Sequence, residues 1–309
     1  MTAYFKRLLA RMLRLKPFRV YDAYSLAGGN LSAAGMSFQL FFAAFAAIWV
    51  GFSVSSFYMH EHQDVRDAVI AFINLQIPNF ISPTGAIHPD SLSDTTLGWT
   101  GILALVVLAM TAINWIQYTR VAMHHMFGLP RPTLNFFLLK LWDLIIALIY
   151  GTVIFLAASL LVIATSFFSD VVKWLGLDQY LHDWTAIGVK LVIVVVVIAV
   201  DTVMPALMIR LLSGVAIPFR FLWRGALLGG IALGLLKVLG SALLTSTGHN
   251  PLFTTFAVFV AILVWFNIVC RIYLLTAEWI ATSMRDAGIT PAETGWVITR
   301  QGIKNRLKR

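Results

Sequence analysis

Six long apolar stretches constrain this chain more than any other feature. They cover residues 31–58, 97–118, 141–168, 186–209, 221–244 and 252–282. A helix needs roughly 20 apolar residues to cross the hydrocarbon of a bilayer, and each stretch supplies them. The fourth contains the run Leu191-Val-Ile-Val-Val-Val-Val-Ile-Ala-Val200. That run would suit a strand by propensity, but the whole block is too long for one. A transmembrane barrel would instead show short alternating segments. Apolar residues make up 59% of the chain and charged ones 12%, about half the charged share of a soluble domain. The mean hydropathy is +0.83. These values exclude an ordinary soluble enzyme, a disordered chain and a disulfide scaffold. The single cysteine, Cys270, lies inside an apolar run and makes no intramolecular disulfide. The expectation is an all-α polytopic membrane protein with six transmembrane helices.

Basic residues near span ends favour the cytoplasm. The N-terminal segment carries Lys6, Arg7, Arg11, Arg14, Lys16 and Arg19. After span two come Arg120, Arg131 and Lys140, and around the turn after span four Arg210, Arg220 and Arg224. The C-terminal tail adds Arg285, Arg300, Lys304, Arg306, Lys308 and Arg309. The three opposite loops hold only Arg66 and Lys173. Eighteen against two predicts cytoplasmic N- and C-termini, in agreement with an even span count. About 30 residues precede the first span, which is too long for the apolar core of a cleavable signal peptide and reads as a retained anchor.

The chain divides into a basic arm (1–30), a membrane domain (31–282) and a basic tail (283–309). In the arm, Phe5, Leu8, Leu9, Met12, Leu13 and Leu15 share one helical face, and Lys6, Arg7, Arg11 and Arg14 the other. Pro17 should end or kink that helix. Such an arm suits an in-plane helix on an anionic leaflet, or a simple docked flank. The net charge of +9 points to anionic lipid headgroups at the cytoplasmic face as partners, not to specific nucleic-acid binding. In the outer loop, 59–96, Val65, Ala68, Val69, Phe72 and Ile73 recur at helical spacing. They predict a short amphipathic helix lying on the outer surface or capping the bundle.

Three local motifs are spread along this frame. Tyr21-Asp22 precedes Leu31-Ser-Ala-Ala-Gly-Met-Ser-Phe38; span two contains Ala112-Ile113-Asn114; span six ends in Thr276-Ala277-Glu278. With the six spans and the long first outer loop, they resemble the YihY/BrkB family of bacterial inner-membrane proteins over roughly residues 18–285. The family's glycine–alanine–glutamate ending has Thr276 in the glycine place. Its Ser-x-x-Pro in helix one is missing, because the corresponding stretch is Phe41-Phe-Ala-Ala-Phe-Ala46. The resemblance implies a multi-pass inner-membrane protein linked to envelope function and transport. The family has also carried a ribonuclease label.

A charge inside a bilayer is costly and needs a reason. Asp201 lies nine residues before Arg210, roughly 13 Å from the inner boundary at 1.5 Å per residue. Asn267, Arg271 and Glu278 sit at offsets of four and seven on one face of span six. Arg271 falls at a depth near that of Asp201, so an Asp201–Arg271 ion pair is expected. It would either fix helix register or belong to a substrate or proton path running from Asn114 through Asp201 to Asn267 and Arg271. Glu278 matches the family ending and is expected to meet Arg210 or Arg224. Lys237 would snorkel to the outer interface or attract anions into an outward cavity. Asp143 is expected at the inner end of span three, where a helix N-terminus favours an acid. Gly225-x-x-x-Gly229 and Gly230-x-x-x-Gly234 permit close helix approach within the bundle or in a homo-oligomer.

Metal and nuclease chemistry find little footing. His60-Glu61-His62 has no evident third ligand nearby. No phosphate-cradling glycine loop and no clustered cytoplasmic carboxylates are present. No catalytic residue, metal or cofactor is therefore assigned. A transporter or lipid-handling protein for an anionic substrate leads, ahead of a non-catalytic envelope-assembly scaffold and then a membrane-bound nuclease. A transporter predicts a polar cavity reaching Asp201 or Arg271, and a scaffold predicts that packing seals them.

Overall fold

The computed structural model describes residues 15–59, 67, 70, 71, 73, 74, 81, 82, 99–129, 136–174, 182–244 and 251–289. Seven long elements are defined: α1 (Lys16–Leu26), α2 (Gly29–Met59), α3 (Trp99–Met126), α4 (Phe136–Trp174), α5 (His182–Leu212), α6 (Phe219–Leu244) and α7 (Pro251–Asp286). Among the described residues no strand runs. The valine-rich run of the fourth apolar stretch is helical throughout, within α5. The six apolar stretches fall on α2 to α7.

Among the described residues, five segments are long and apolar enough to cross a membrane: Gly29–Gly51, Leu139–Ala157, Val194–Leu212, Phe219–Gly240 and Val258–Asp286. α3 is not among them. Its second half carries Asn114, Gln117, Thr119, Arg120, His124 and His125. At 36 residues, α7 reaches about 54 Å, well beyond a hydrocarbon layer of about 30 Å. α7 is therefore longer than such a layer is thick.

Consecutive helices pack side by side from α2 to α7, and α7 returns to α2, closing a ring. Alternate members α3, α5 and α7 also touch one another across the middle. Large apolar side chains cover the outside, with Leu103 65%, Phe155 70% and Val238 69% exposed. That surface suits lipid.

The two ends are built differently. One holds a dense core in which Tyr24, Met123, Met126, Met208, Leu212 and Met284 are fully enclosed. Helix stops serve it. Gly128 and Gly288 take positive φ (69° and 72°), and the next residues donate back, Leu129 N to His124 O and Ile289 N to Met284 O. This is the Schellman arrangement that only glycine adopts without strain. It folds Leu129 and Ile289 onto the core. At the other end Ile48, Ile81, Val258, Ile262, Trp265 and Phe266 form a smaller cluster. There Asn74 and Ile81 exchange two hydrogen bonds of 2.9 Å. Asp67, Ile70, Ala71, Ile73 and Asn74 are helical, with Ile70 and Ile73 packed on the cluster. This part of the amphipathic segment caps the bundle. Val65, Ala68, Val69 and Phe72 lie outside the described residues.

Pro17 stands at the start of α1, after an extended Leu15 (ψ 139°), where its fixed φ and missing N–H cost nothing. The arm helix it is expected to end or kink lies outside the described residues. Lys6, Arg7, Arg11 and Arg14 lie outside the described residues. α1 is tied to the end of α7. Lys16 Nζ donates to Ser283 Oγ (2.7 Å) and lies 5.0 Å from the Trp279 ring, and Arg19 pairs with Asp286 at 2.7 Å. The start of α1 and the end of α7 thus share one end of the molecule.

Candidate functional site

The innermost charges pair differently from the sequence expectation. Lys237 Nζ donates to Asp201 Oδ1 at 2.6 Å. Asp201 therefore meets α6 rather than Arg271 on α7, and Lys237 turns inward instead of snorkelling. The cause is glycine. A methyl group on Gly230 would collide with Thr202 and press on the backbone of Asp201. Its absence lets α6 approach α5 beside the carboxylate, whereas α5 meets α7 only briefly. Gly225 and Gly229 likewise seat Ile280 and Thr276 of α7. These three glycines serve the internal bundle, while Gly234 has open space before it.

Around this pair lie further polar groups. The hydroxyls of Tyr150 (α4) and Tyr273 (α7) are 3.0 Å apart, and both tyrosines interact electrostatically with Asp201. Trp115 of α3 packs on Tyr150, with ring centroids 5.5 Å apart. Buried Cys270 is also near both tyrosines. Five helices thus contribute to one polar centre. Asp201 Oδ2 is buried and has no hydrogen-bond partner among the described residues. That oxygen has room in its chemistry for a proton or one more donor.

A second charged cluster joins α3 to α4. Arg120 pairs with Asp143, and both are buried. Lys140 Nζ donates to Gln117 Oε1 (2.7 Å) and Asn114 Oδ1 (3.2 Å). Asp143 does not begin its helix, because α4 starts at Phe136. It sits two turns in, facing Arg120, which belongs to α3 and not to a loop. Asn114, Gln117, Arg120 and His124 recur three or four residues apart along α3. That polar stripe was the sequence signal for this cluster.

The remaining predicted residues lie elsewhere. Asn267 Nδ2 donates to Ser37 Oγ at 3.3 Å, linking α7 to α2. Arg271 is exposed beside Tyr24 of α1. Burial raises the Tyr24 phenol above its ordinary value and the Arg271 charge pulls it back. Glu278 is buried and binds Arg285 and Thr282 of its own helix, not Arg210 or Arg224. Asn114, Asp201, Asn267, Arg271 and Glu278 therefore form no single continuous path. A cavity of about 240 Å³ opens between α4 and α5, lined by Val153, Leu156, Ala157, Ala199, Val200, Val203 and Met204. Its walls are apolar, and Asp201, only 4% exposed, does not line it. Among the described residues no three His, Cys, Asp or Glu gather as metal ligands. His60 and His62 lie outside those residues.

An all-helical bundle with an apolar exterior and several membrane-length helices defines a multi-pass membrane protein. The family model described as Virulence factor BrkB matches residues 20–296, and the chain belongs to that family. An uncharacterised protein of Dickeya dadantii (strain 3937) is 24% identical over 291 residues, covering 86% of this chain and 82% of that relative. No solved structure matches.

Proposed function

We propose that the protein is an inner-membrane transporter or lipid-handling protein for an anionic substrate, with α2 to α7 all crossing the bilayer and both termini in the cytoplasm. The observation that carries this reading is the Asp201–Lys237 pair. It is an acid and a base held together between two apolar helices, 2.6 Å apart, with tyrosines from two more helices beside it. Charges at such depth are expensive and typically line pathways or proton relays. A substrate anion would compete with Asp201 for Lys237. The tie between α1 and α7 supports a common side for the termini, and the bias of eighteen basic residues to two in the sequence favours the cytoplasm for that side.

One observation favours the scaffold reading. The pair is sealed, and the described cavity beside α5 is apolar. On the transport reading this is an occluded state, and opening requires α5 and α6 to part at Gly230. The test is lipid and metabolite analysis of gently purified wild type, Asp201→Asn and Lys237→Gln. A defined lipid or anionic solute held by wild type and lost from both folded variants supports a path. An unchanged bound set, with the variants only less stable, supports the scaffold. Reporter fusions at the two ends test the topology separately.

A further inference from the structure

We infer that the hairpin joining α5 to α6 carries a binding site for the phosphate headgroup of an anionic phospholipid, formed by Arg220 and Arg224 above a ledge of Phe219 and Trp223. Both arginines are exposed. Among the described ion pairs, none includes either of them. Four other described cations at this end are engaged by protein groups: Arg19 by Asp286, Arg285 by Glu278, Arg120 by Asp143 and Lys16 by Ser283. Arg220 lies 4.8 Å from the Phe221 ring, and neither Arg220 nor Arg224 faces an acid among the described ion pairs.

Their placement is unfavourable for the protein alone. They stand four residues apart on one helical face, where like charges repel. They also occupy the first turns of α6, where the macrodipole disfavours cations, and that first turn contains no acid. One anion over this face relieves both terms. Arg210 is the contrast. It lies in the last turn of α5, where a cation suits the helix end.

The surroundings point to lipid as the source of the anion. Phe219 and Trp223 are 70% and 44% exposed and stacked, with centroids 6.0 Å apart and an interplanar angle of 14°. A Trp such as Trp223 favours the headgroup level. One turn further along, Leu227, Leu228 and Ile231 are exposed and continue into the apolar belt. α6 has 26 residues, about 39 Å, longer than the hydrocarbon of about 30 Å is thick. The hairpin is a firm mount, because Ser213, Val215, Ile217 and Leu222 are buried in the end core.

This inference rests on the membrane-spanning reading and not on transport or on the Asp201 pair. The test places wild type, R220Q/R224Q and the control R210Q in nanodiscs. The lipid is phosphatidylcholine alone or mixed with phosphatidylglycerol of matched chains. Native mass spectrometry counts retained lipid, and melting temperature is the second readout. Wild type should retain phosphatidylglycerol selectively and gain stability from it, and R210Q should behave alike. R220Q/R224Q should bind it about tenfold more weakly, since each basic residue near an anionic surface contributes measurably. In phosphatidylcholine alone that variant should melt at or above wild type, because the repulsion is gone. Equal phosphatidylglycerol retention by R220Q/R224Q, a lower melting temperature for it in both lipids, or the same stabilisation of wild type by free glycerol phosphate would each overturn the assignment.

Discussion

Among the described residues two ion pairs are buried in this bundle, and they are not alike. Arg120–Asp143 joins α3 to α4, and Asp201–Lys237 joins α5 to α6. Each couples consecutive helices of the ring, and each leaves one carboxylate oxygen without a partner among the described residues. The first sits beside the dense end core, with Met123 and Ile146 fully buried nearby in its own two helices. Its side chains are 5% and 0% exposed. The second sits where a glycine brings helices together, on turns of α5 whose other face lines an apolar cavity. Its exposures are 14% for Lys237 and 6% for Asp201. A pair locked in a core resists every change. On the proposed transport reading, the less enclosed pair at a glycine contact is the one that exchanges partners. The difference assigns anchoring to Arg120–Asp143 and leaves Asp201–Lys237 as the candidate working pair.

The largest effect should come from breaking the anchor. Arg120→Met strands a fully enclosed carboxylate, which costs about 3–5 kcal/mol in buried pairs. The expected result is strong loss of the folded, monodisperse protein in detergent. Adding Asp143→Leu should recover much of it, since the stranded charge is then gone. If Arg120→Met alone melts like wild type, the anchoring role is wrong.

The working pair should respond less. Lys237→Met removes the partner of a less enclosed pair, so the loss should be nearer the roughly 1.5–3 kcal/mol of a charged hydrogen bond. Thermal melts of Lys237→Met and Arg120→Met under the same conditions compare the two pairs directly. Equal losses would erase the distinction. Gly230→Ala probes the same contact through the backbone. Its methyl meets Thr202 and the main chain of Asp201, an overpacking cost of about 1–3 kcal/mol. Gly234→Ala one turn later meets nothing and should be neutral, or stabilising by up to about 1 kcal/mol from helix propensity. Opposite signs for these neighbours would place the α5–α6 seam where the pair requires it.

Hydropathy made the helices legible, because 20-residue apolar blocks admit few alternatives in water or lipid. Partners were less legible for a geometric reason. Depth along a helix constrains one coordinate, and Asp201 and Arg271 agreed in it. The deciding coordinate was rotation, fixed by which face glycines allow a neighbour to approach. Gly230 was visible as a packing signal, but its partner helix was not. Arg120 was hidden by a helix that runs eight residues past the apolar stretch. Counting it as a loop charge missed that Asn114, Gln117, Arg120 and His124 share one side. Glu278 met Arg285 on its own helix, a spacing of seven that the sequence displays and that the search for partners on other helices passed over.

The smallest expected effect concerns the tie between α1 and α7, and it sets the lower bound for the comparison. Arg19–Asp286 is an exposed pair, with side chains 48% and 36% accessible. Pairs of this kind contribute about 0–1 kcal/mol, and salt screens them. Arg19→Gln should therefore lower the melting temperature slightly at low ionic strength and not at all in high salt. Arg120→Met should be destabilising in both, because solvent ions do not reach a buried carboxylate. Differential scanning fluorimetry of both variants across salt concentrations reads the contrast. A salt-independent loss for Arg19→Gln would mean that α1 is held by that pair more firmly than its exposure allows. The end core would then depend on α1 docking, and Val20 and Tyr24, which α1 buries there, would be the residues to truncate next.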